Sequence, residues 1–204
     1  MVAHQVLGKG ADLVLLHGWG MNSRVFTDVA MALSRSFCVH LIDLPGFGLQ
    51  RLPVEFKHDL PGWLALLASE LPAQCHLLGW SLGGQLASLL AERTQCRLIT
   101  LASNPQFCSD ASWAYGMQPE AFERFYAKQQ TQPVQNLQQF AALTGLQDAS
   151  SHTKTHIKHL KAQLTRLSEP EQAMHLLHLK WLRNLNTRSV LANLLTPQLH
   201  IWGD

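Results

Sequence analysis

Apolar residues along the chain come in short, largely apolar runs, each followed by a turn-forming cluster and then by a stretch in which apolar positions recur every three or four residues. Leu13-Val14-Leu15-Leu16, Phe37-Cys38-Val39-His40-Leu41-Ile42, Cys75-His76-Leu77-Leu78 and Arg97-Leu98-Ile99-Thr100-Leu101-Ala102 are the runs. Their continuity predicts strands covered on both faces, as in a parallel sheet, and residues 4 to 8 add a short first strand before the Gly8-Lys9-Gly10 turn. Between the runs, Val25, Phe26, Val29, Met31 and Leu33 have the spacing of an amphipathic helix that Asn22 or Ser23 can cap, Leu60 to Leu71 is a helix stopped by Pro72, and Gly84 to about Glu92 is another. Strand and helix alternate in units of about 30 residues, which indicates a parallel α/β sheet.

The alternation stops after Asn104-Pro105. Residues 105 to 183 contain no convincing strand and read as three or four helices separated near Pro119, Pro133, Gly145 and Pro170. The sheet resumes at Gln198-Leu199-His200-Ile201-Trp202. This predicts an α/β core of residues 1–104 and 184–204 with a helical lid of residues 105–183 inserted between two strands.

Composition narrows the class. With 204 residues, 47% hydrophobic, the chain can bury one sizeable core plus an appendage, and a net charge of +2 gives no general reason to expect nucleic acid or a membrane surface. The charge is uneven: residues 150 to 190 carry seven Lys or Arg against Glu169 and Glu171, so this segment is +5 and the remainder −3. Cys38, Cys75, Cys96 and Cys108 have no paired spacing and read as small buried hydrophobes in a reducing compartment. No leader pattern and no run of membrane-spanning length is present, which places the protein in the cytoplasm.

The chemistry concentrates at Gly79-Trp80-Ser81-Leu82-Gly83, between the run at 75–78 and the helix beyond it. Glycines two residues either side let strand and helix pass closely while the serine is thrust outward, and the first amides of the helix point at the space above it. Ser81 is therefore a candidate nucleophile. The His17-Gly18-Trp19-Gly20 turn comes after the first long strand, at the end of the sheet where open α/β folds place ligands. His17 reads as a structural member of that turn, and Asp43 as a loop-stabilising carboxylate.

A histidine-glycine turn some sixty residues before a serine elbow resembles the α/β-hydrolase fold, whose oxyanion hole maps onto the backbone N–H groups of Trp19 and Leu82. Read together, Leu16-His17-Gly18-Trp19-Gly20, Leu41-Ile42-Asp43-Leu44-Pro45-Gly46-Phe47-Gly48 and Leu78-Gly79-Trp80-Ser81-Leu82-Gly83-Gly84 look like the pimeloyl-acyl-carrier-protein methyl ester esterases of biotin synthesis. The resemblance implies a serine carboxylesterase with no cofactor and no metal. It implies an acyl channel touching Trp19, Ser81 and Leu82 and bordered by Phe140-Ala141-Ala142-Leu143-Thr144. It also implies an acyl carrier protein as partner, docked on Lys154 and Lys158.

From the residues alone, Lys154, Lys158 and Lys161 share one helix face and Ile157, Leu160, Leu164 and Leu167 another, which a merely solvated face would also show. His152, His156 and His159 lack a neighbouring acidic or cysteine third ligand for a metal. Membrane and nucleic acid are not expected partners, and the full-length form is expected to be a monomer.

A serine esterase of this order needs an acid and a histidine after the serine. Asp204 falls too early in its loop, and His200 lies within a strand. The sequence therefore reads as the N-terminal portion of a longer hydrolase, lacking the last strand, its helices and the triad histidine. The alternatives are a general short-chain carboxylesterase or lactone hydrolase, and a non-catalytic acyl- or carrier-binding module.

Overall fold

The computed structural model describes residues 4–48, 60–144 and 168–203. Six strands form one sheet: β1 (His4–Leu7), β2 (Ala11–Leu16), β3 (Phe37–Ile42), β4 (His76–Trp80), β5 (Arg97–Leu101) and β6 (Gln198–Ile201), in the order β1-β3-β2-β4-β5-β6. All neighbouring pairs are parallel except β1 against β3, which are antiparallel. The helices are α1 (Thr27–Leu33), α2 (Leu60–Glu70), α3 (Leu82–Thr94), α4 (Pro119–Thr131), α5 (Pro133–Thr144), α6 (Glu169–Asn184) and α7 (Arg188–Asn193). Pro119 and Pro133 each open a helix, where the missing N–H has no intrahelical partner to lose.

Two cores flank the sheet. Leu13, Leu15, Val39 and Leu41 turn to α1 and meet Phe26 and Ala30; Val14, Leu16, Ile42 and Leu77 turn to the other side and join Trp63, Leu67, Leu86 and Leu90. Alternation along each strand therefore feeds both faces, which is why the runs are largely apolar rather than strictly alternating. α1 departs from its expected phase. A 3₁₀ turn, Ser23–Phe26, is capped by the Asn22 side chain accepting from Arg24 N–H at 3.1 Å. The tighter winding rotates α1 about its axis, so Phe26 and Ala30 face the sheet while Val29 and Met31 are exposed.

The cysteines also differ from expectation. Cys75 and Cys96 are buried with their sulfurs 2.9 Å apart, but Cys38 and Cys108 are only half-buried and so are not core hydrophobes. Loop 105–118 is tied to the start of α7, where the Thr187 N–H and Oγ1 both donate to Pro105 O, at 2.8 and 3.0 Å. On its outer flank β6 has no strand partner among the described residues, and Leu199, Ile201 and Trp202 are exposed there. No helix among the described residues is long and apolar enough to cross a membrane.

Candidate active site

β4 delivers Ser81 to the C-terminal edge of the sheet, and α3 leaves from it. Ser81 has φ 55° and ψ −119°, a conformation that L residues avoid and that costs of the order of 1–3 kcal/mol. The surrounding backbone holds it there. Ser81 N–H donates to Leu101 O at 3.0 Å, and Ser81 O accepts from Gly84 N–H (2.9 Å), Gln85 N–H (3.3 Å) and the Ser103 hydroxyl (2.7 Å).

The glycines are required by space rather than by dihedral angle. A Cβ on Gly79 would lie 2.5 Å from Gly84 Cα, one on Gly83 would run into Leu16 O and lie 2.6 Å from His17 O, and one on Gly84 would lie 2.5 Å from Ser103 Cβ. Gly18 comes close from the other side, where a Cβ would sit 3.2 Å from Ser81 Cβ. The turn after β2 thus lies directly against the serine.

Among the described residues Ser81 Oγ makes no hydrogen bond, and neither the Trp19 nor the Leu82 backbone N–H has an acceptor. The hydroxyl opens on a cavity of ≈ 180 Å³ lined by Ser81, Gln85, Ala102, Asn104, Phe107, Leu182 and Trp202. One wall is amide: Gln85 Nε2 donates to Asn104 O at 2.8 Å, leaving the buried Gln85 Oε1 without a partner. The other is apolar, from Phe107, Leu182 and Trp202. Ala102, Asn104 and Trp202 follow the ends of β5 and β6, as the rule that loops after parallel strands carry the ligand expects, whereas Leu182 of α6 and Phe107 arrive by long-range packing.

The turn at 17–20 is built on His17, which is completely buried. Its Nδ1 lies 2.8 Å from Gly18 O, and its Nε2 accepts from Leu44 N–H at 2.9 Å. The two partners fix the neutral tautomer with the proton on Nδ1. Burial lowers its pKa to about 4 against the hydrogen bond to Gly18 and the charge of Asp43, both of which raise it. Asp43 Oδ1 accepts from Ser23 N–H at 2.7 Å, as suits a carboxylate that ties loops together.

Trp19 is 2% exposed, donates from Nε1 to His175 O at 2.9 Å, and packs edge-on against Phe125 (5.2 Å) and Phe140 (5.1 Å). In the 140–144 stretch, Phe140 therefore reaches the site by way of Trp19, Ala141 is buried, Ala142 is half-buried, and Leu143 is turned to solvent at 64% exposure. Leu143 lies in the last turn of α5, where its side chain faces solvent. Thr144 closes α5.

Lys154 and Lys158, with the three histidines around them, lie outside the described residues. His200 is held in β6, its Nδ1 2.7 Å from Thr100 Oγ1. His175 and His178 are a further pair of buried imidazoles that the sequence did not single out. His178 stacks on Phe47 (5.0 Å between centroids) with neither ring nitrogen partnered.

The Alpha/beta hydrolase family matches residues 13–203. The pimeloyl-[acyl-carrier protein] methyl ester esterase of Aeromonas hydrophila is 40% identical over 207 residues, covering 99% of this chain and 80% of that protein. The protein of the same name from Vibrio parahaemolyticus is 34% identical, covering 98% of this chain and 77% of its own length. Among solved structures, a hydrolase from Oleispira antarctica superimposes with a TM-score of 0.81 at 18% identity, covering 98% of this chain and 75% of that one. An esterase from Exiguobacterium antarcticum gives a TM-score of 0.78 at 18% identity over 98% of this chain and 75% of its own, a likeness of fold. A serine elbow on a mostly parallel sheet, a family match across nearly the whole chain and relatives at this identity lead to one conclusion: the chain belongs to the alpha/beta hydrolase family.

Proposed function

We propose that the protein is a carboxylic ester hydrolase that cleaves the methyl ester of a pimeloyl chain borne on acyl carrier protein, with Ser81 as nucleophile. The observation that supports this best is the strained Ser81 backbone, which presents an unbonded hydroxyl beside two backbone amides that lack acceptors. The named relatives supply the substrate class.

In this reading Ser81 Oγ forms a bond to the ester carbonyl carbon as its proton passes to a general base. The carbonyl oxygen, now an anion, accepts from Trp19 and Leu82 N–H, each such donor typically contributing about 2.7–4 kcal/mol to transition-state stabilisation. The tetrahedral centre collapses with loss of methoxide, which takes the proton and leaves as methanol. Water then cleaves the acyl-serine by the same steps.

No imidazole reaches Ser81 Oγ among the described residues, so the base and its acid are assigned to residues outside them. The helical segment between β5 and β6 serves as the lid, Phe140 positions Trp19, and Lys154 and Lys158 steer the acidic carrier. Neither a metal nor a cofactor enters the scheme.

A second reading, a general short-chain carboxylesterase, is favoured by the cavity itself: ≈ 180 Å³ is below the roughly 300–1,000 Å³ of sites that enclose larger ligands.

The test is to incubate the protein with methyl-pimeloyl carrier protein, follow demethylation by intact mass, and run p-nitrophenyl esters and Ser81→Ala in parallel. Loss of the methyl group that depends on Ser81 supports the proposal. Hydrolysis of small esters alone moves the protein to the second reading. No hydrolysis of either, with no fluorophosphonate adduct on Ser81, makes it a binding module. Lys154→Glu with Lys158→Glu is expected to slow the carrier-bound ester and spare the small one.

A further inference from the structure

At the opposite end of the sheet from Ser81, the second residues of β2 and β3 bring together a group that the esterase reaction does not use. Asp12 and Cys38 are register partners across the parallel β2–β3 pair, and His40, two residues beyond Cys38, falls on the same face. The donor atoms of Asp12, Cys38 and His40 all lie within 4.8 Å of one another, with Asp12 Oδ1 2.7 Å from His40 Nε2, and all three residues are half-buried. A buried constellation of this kind would be shut off, and a fully exposed one would be solvated; this one is both shaped and reachable.

We propose that Asp12, Cys38 and His40 bind a divalent cation of the zinc class, stapling β2 to β3. The donor chemistry selects the ion. One thiolate, one imidazole and one carboxylate suit zinc, whereas magnesium and calcium take oxygen donors only. With Zn–N and Zn–O near 2.0–2.1 Å and Zn–S near 2.3 Å, the edges of a zinc tetrahedron are roughly 3.3–3.6 Å. The three donors therefore reach a common centre through side-chain adjustments while the strand register stays fixed.

Binding exchanges protons in a defined way. The His40–Asp12 hydrogen bond opens, the imidazole carries its proton on Nδ1, and Nε2 and Oδ1 turn to the ion. Cys38 gives up its thiol proton to solvent. One thiolate and one carboxylate then neutralise the dication, so no net charge is left in a half-buried place. The fourth position is open to water. Glu70, at the end of α2, shares with His40 the wall of a ≈ 20 Å³ cavity large enough for about one such molecule.

The test does not depend on ester hydrolysis. The chelator-treated protein is titrated with Co²⁺ as a spectroscopic stand-in and with Zn²⁺ by calorimetry. One equivalent is expected, with a near-ultraviolet thiolate-to-cobalt band that disappears in Cys38→Ser. Loss of a supporting group alone costs roughly 10- to 100-fold in metal affinity, so His40→Ala and Asp12→Ala are expected to weaken binding by at least about tenfold.

A second measurement uses the unaltered chain: Zn²⁺ should protect Cys38 from iodoacetamide and leave the alkylation of half-buried Cys108 unchanged. A cobalt band that persists in Cys38→Ser, uptake without such a band, or Cys38 alkylated equally fast with and without Zn²⁺ overturns the proposal.

Discussion

Ser81 is held in a backbone conformation that glycine would adopt freely, so its replacement separates stability from chemistry. Ser81→Gly is expected to raise unfolding free energy by about 1 kcal/mol, the strain released less the entropy gained by the unfolded chain, while abolishing ester turnover. Urea denaturation and an esterase assay on the same samples check both halves, and a destabilised Ser81→Gly would show that φ 55° is not under strain. The neighbouring glycines behave in the opposite sense. Gly83→Ala forces a methyl group into Leu16 O and is expected to cost more than about 2 kcal/mol, because backbone on both sides has to give way.

One indole makes several of the contacts that join core to helical segment. Trp19 leaves the turn after β2 and is received by Phe125 of α4, Phe140 of α5 and the His175 carbonyl of α6. Trp19→Phe removes a buried hydrogen bond and part of the ring volume, for an expected loss of about 2 kcal/mol. The loss should be local. Amide exchange is expected to accelerate across α4, α5 and α6 and remain slow in β4 and α3; uniform acceleration throughout would mean that the helices and the core unfold as one unit.

Across the whole molecule, acid sensitivity follows from three buried imidazoles gathered around Phe47. His17 and His175 have pKa values lowered to about 4 by burial, and burial carries His178 well below the usual histidine range. In the unfolded chain all three take up protons near pH 6.5. Between that value and about pH 4 the unfolded state binds more protons. Stability is therefore full above about pH 6.5 and falls as pH drops through this window, by ~3 kcal/mol for each of His17 and His175 by pH 4. Urea midpoints at about pH 7.5 and pH 5 measure the drop. His178→Phe, which keeps the stack on Phe47 and removes two unpartnered nitrogens, is expected to raise stability at neutral pH and flatten the dependence. A midpoint indifferent to pH would contradict the burial of these rings.

The amino-acid sequence by itself determined the features that depend on near neighbours. Largely apolar runs specified strands buried on two faces, and glycines flanking Ser81 specified a turn that only they can make, because both are constraints within a few residues of chain. The phase of α1 was already beyond its reach: whether Val29 or Ala30 faces the sheet depends on a 3₁₀ turn whose hydrogen bonds compete closely with α-helical ones. Only the tertiary structure decided that Leu143 faces solvent, that Gln85, Leu182 and Trp202 share a cavity with Ser81, and that Asp12 meets His40 across a strand pair. Most of these are contacts between residues 28 to more than a hundred positions apart. They are set by strand order and packing, quantities that no local pattern carries.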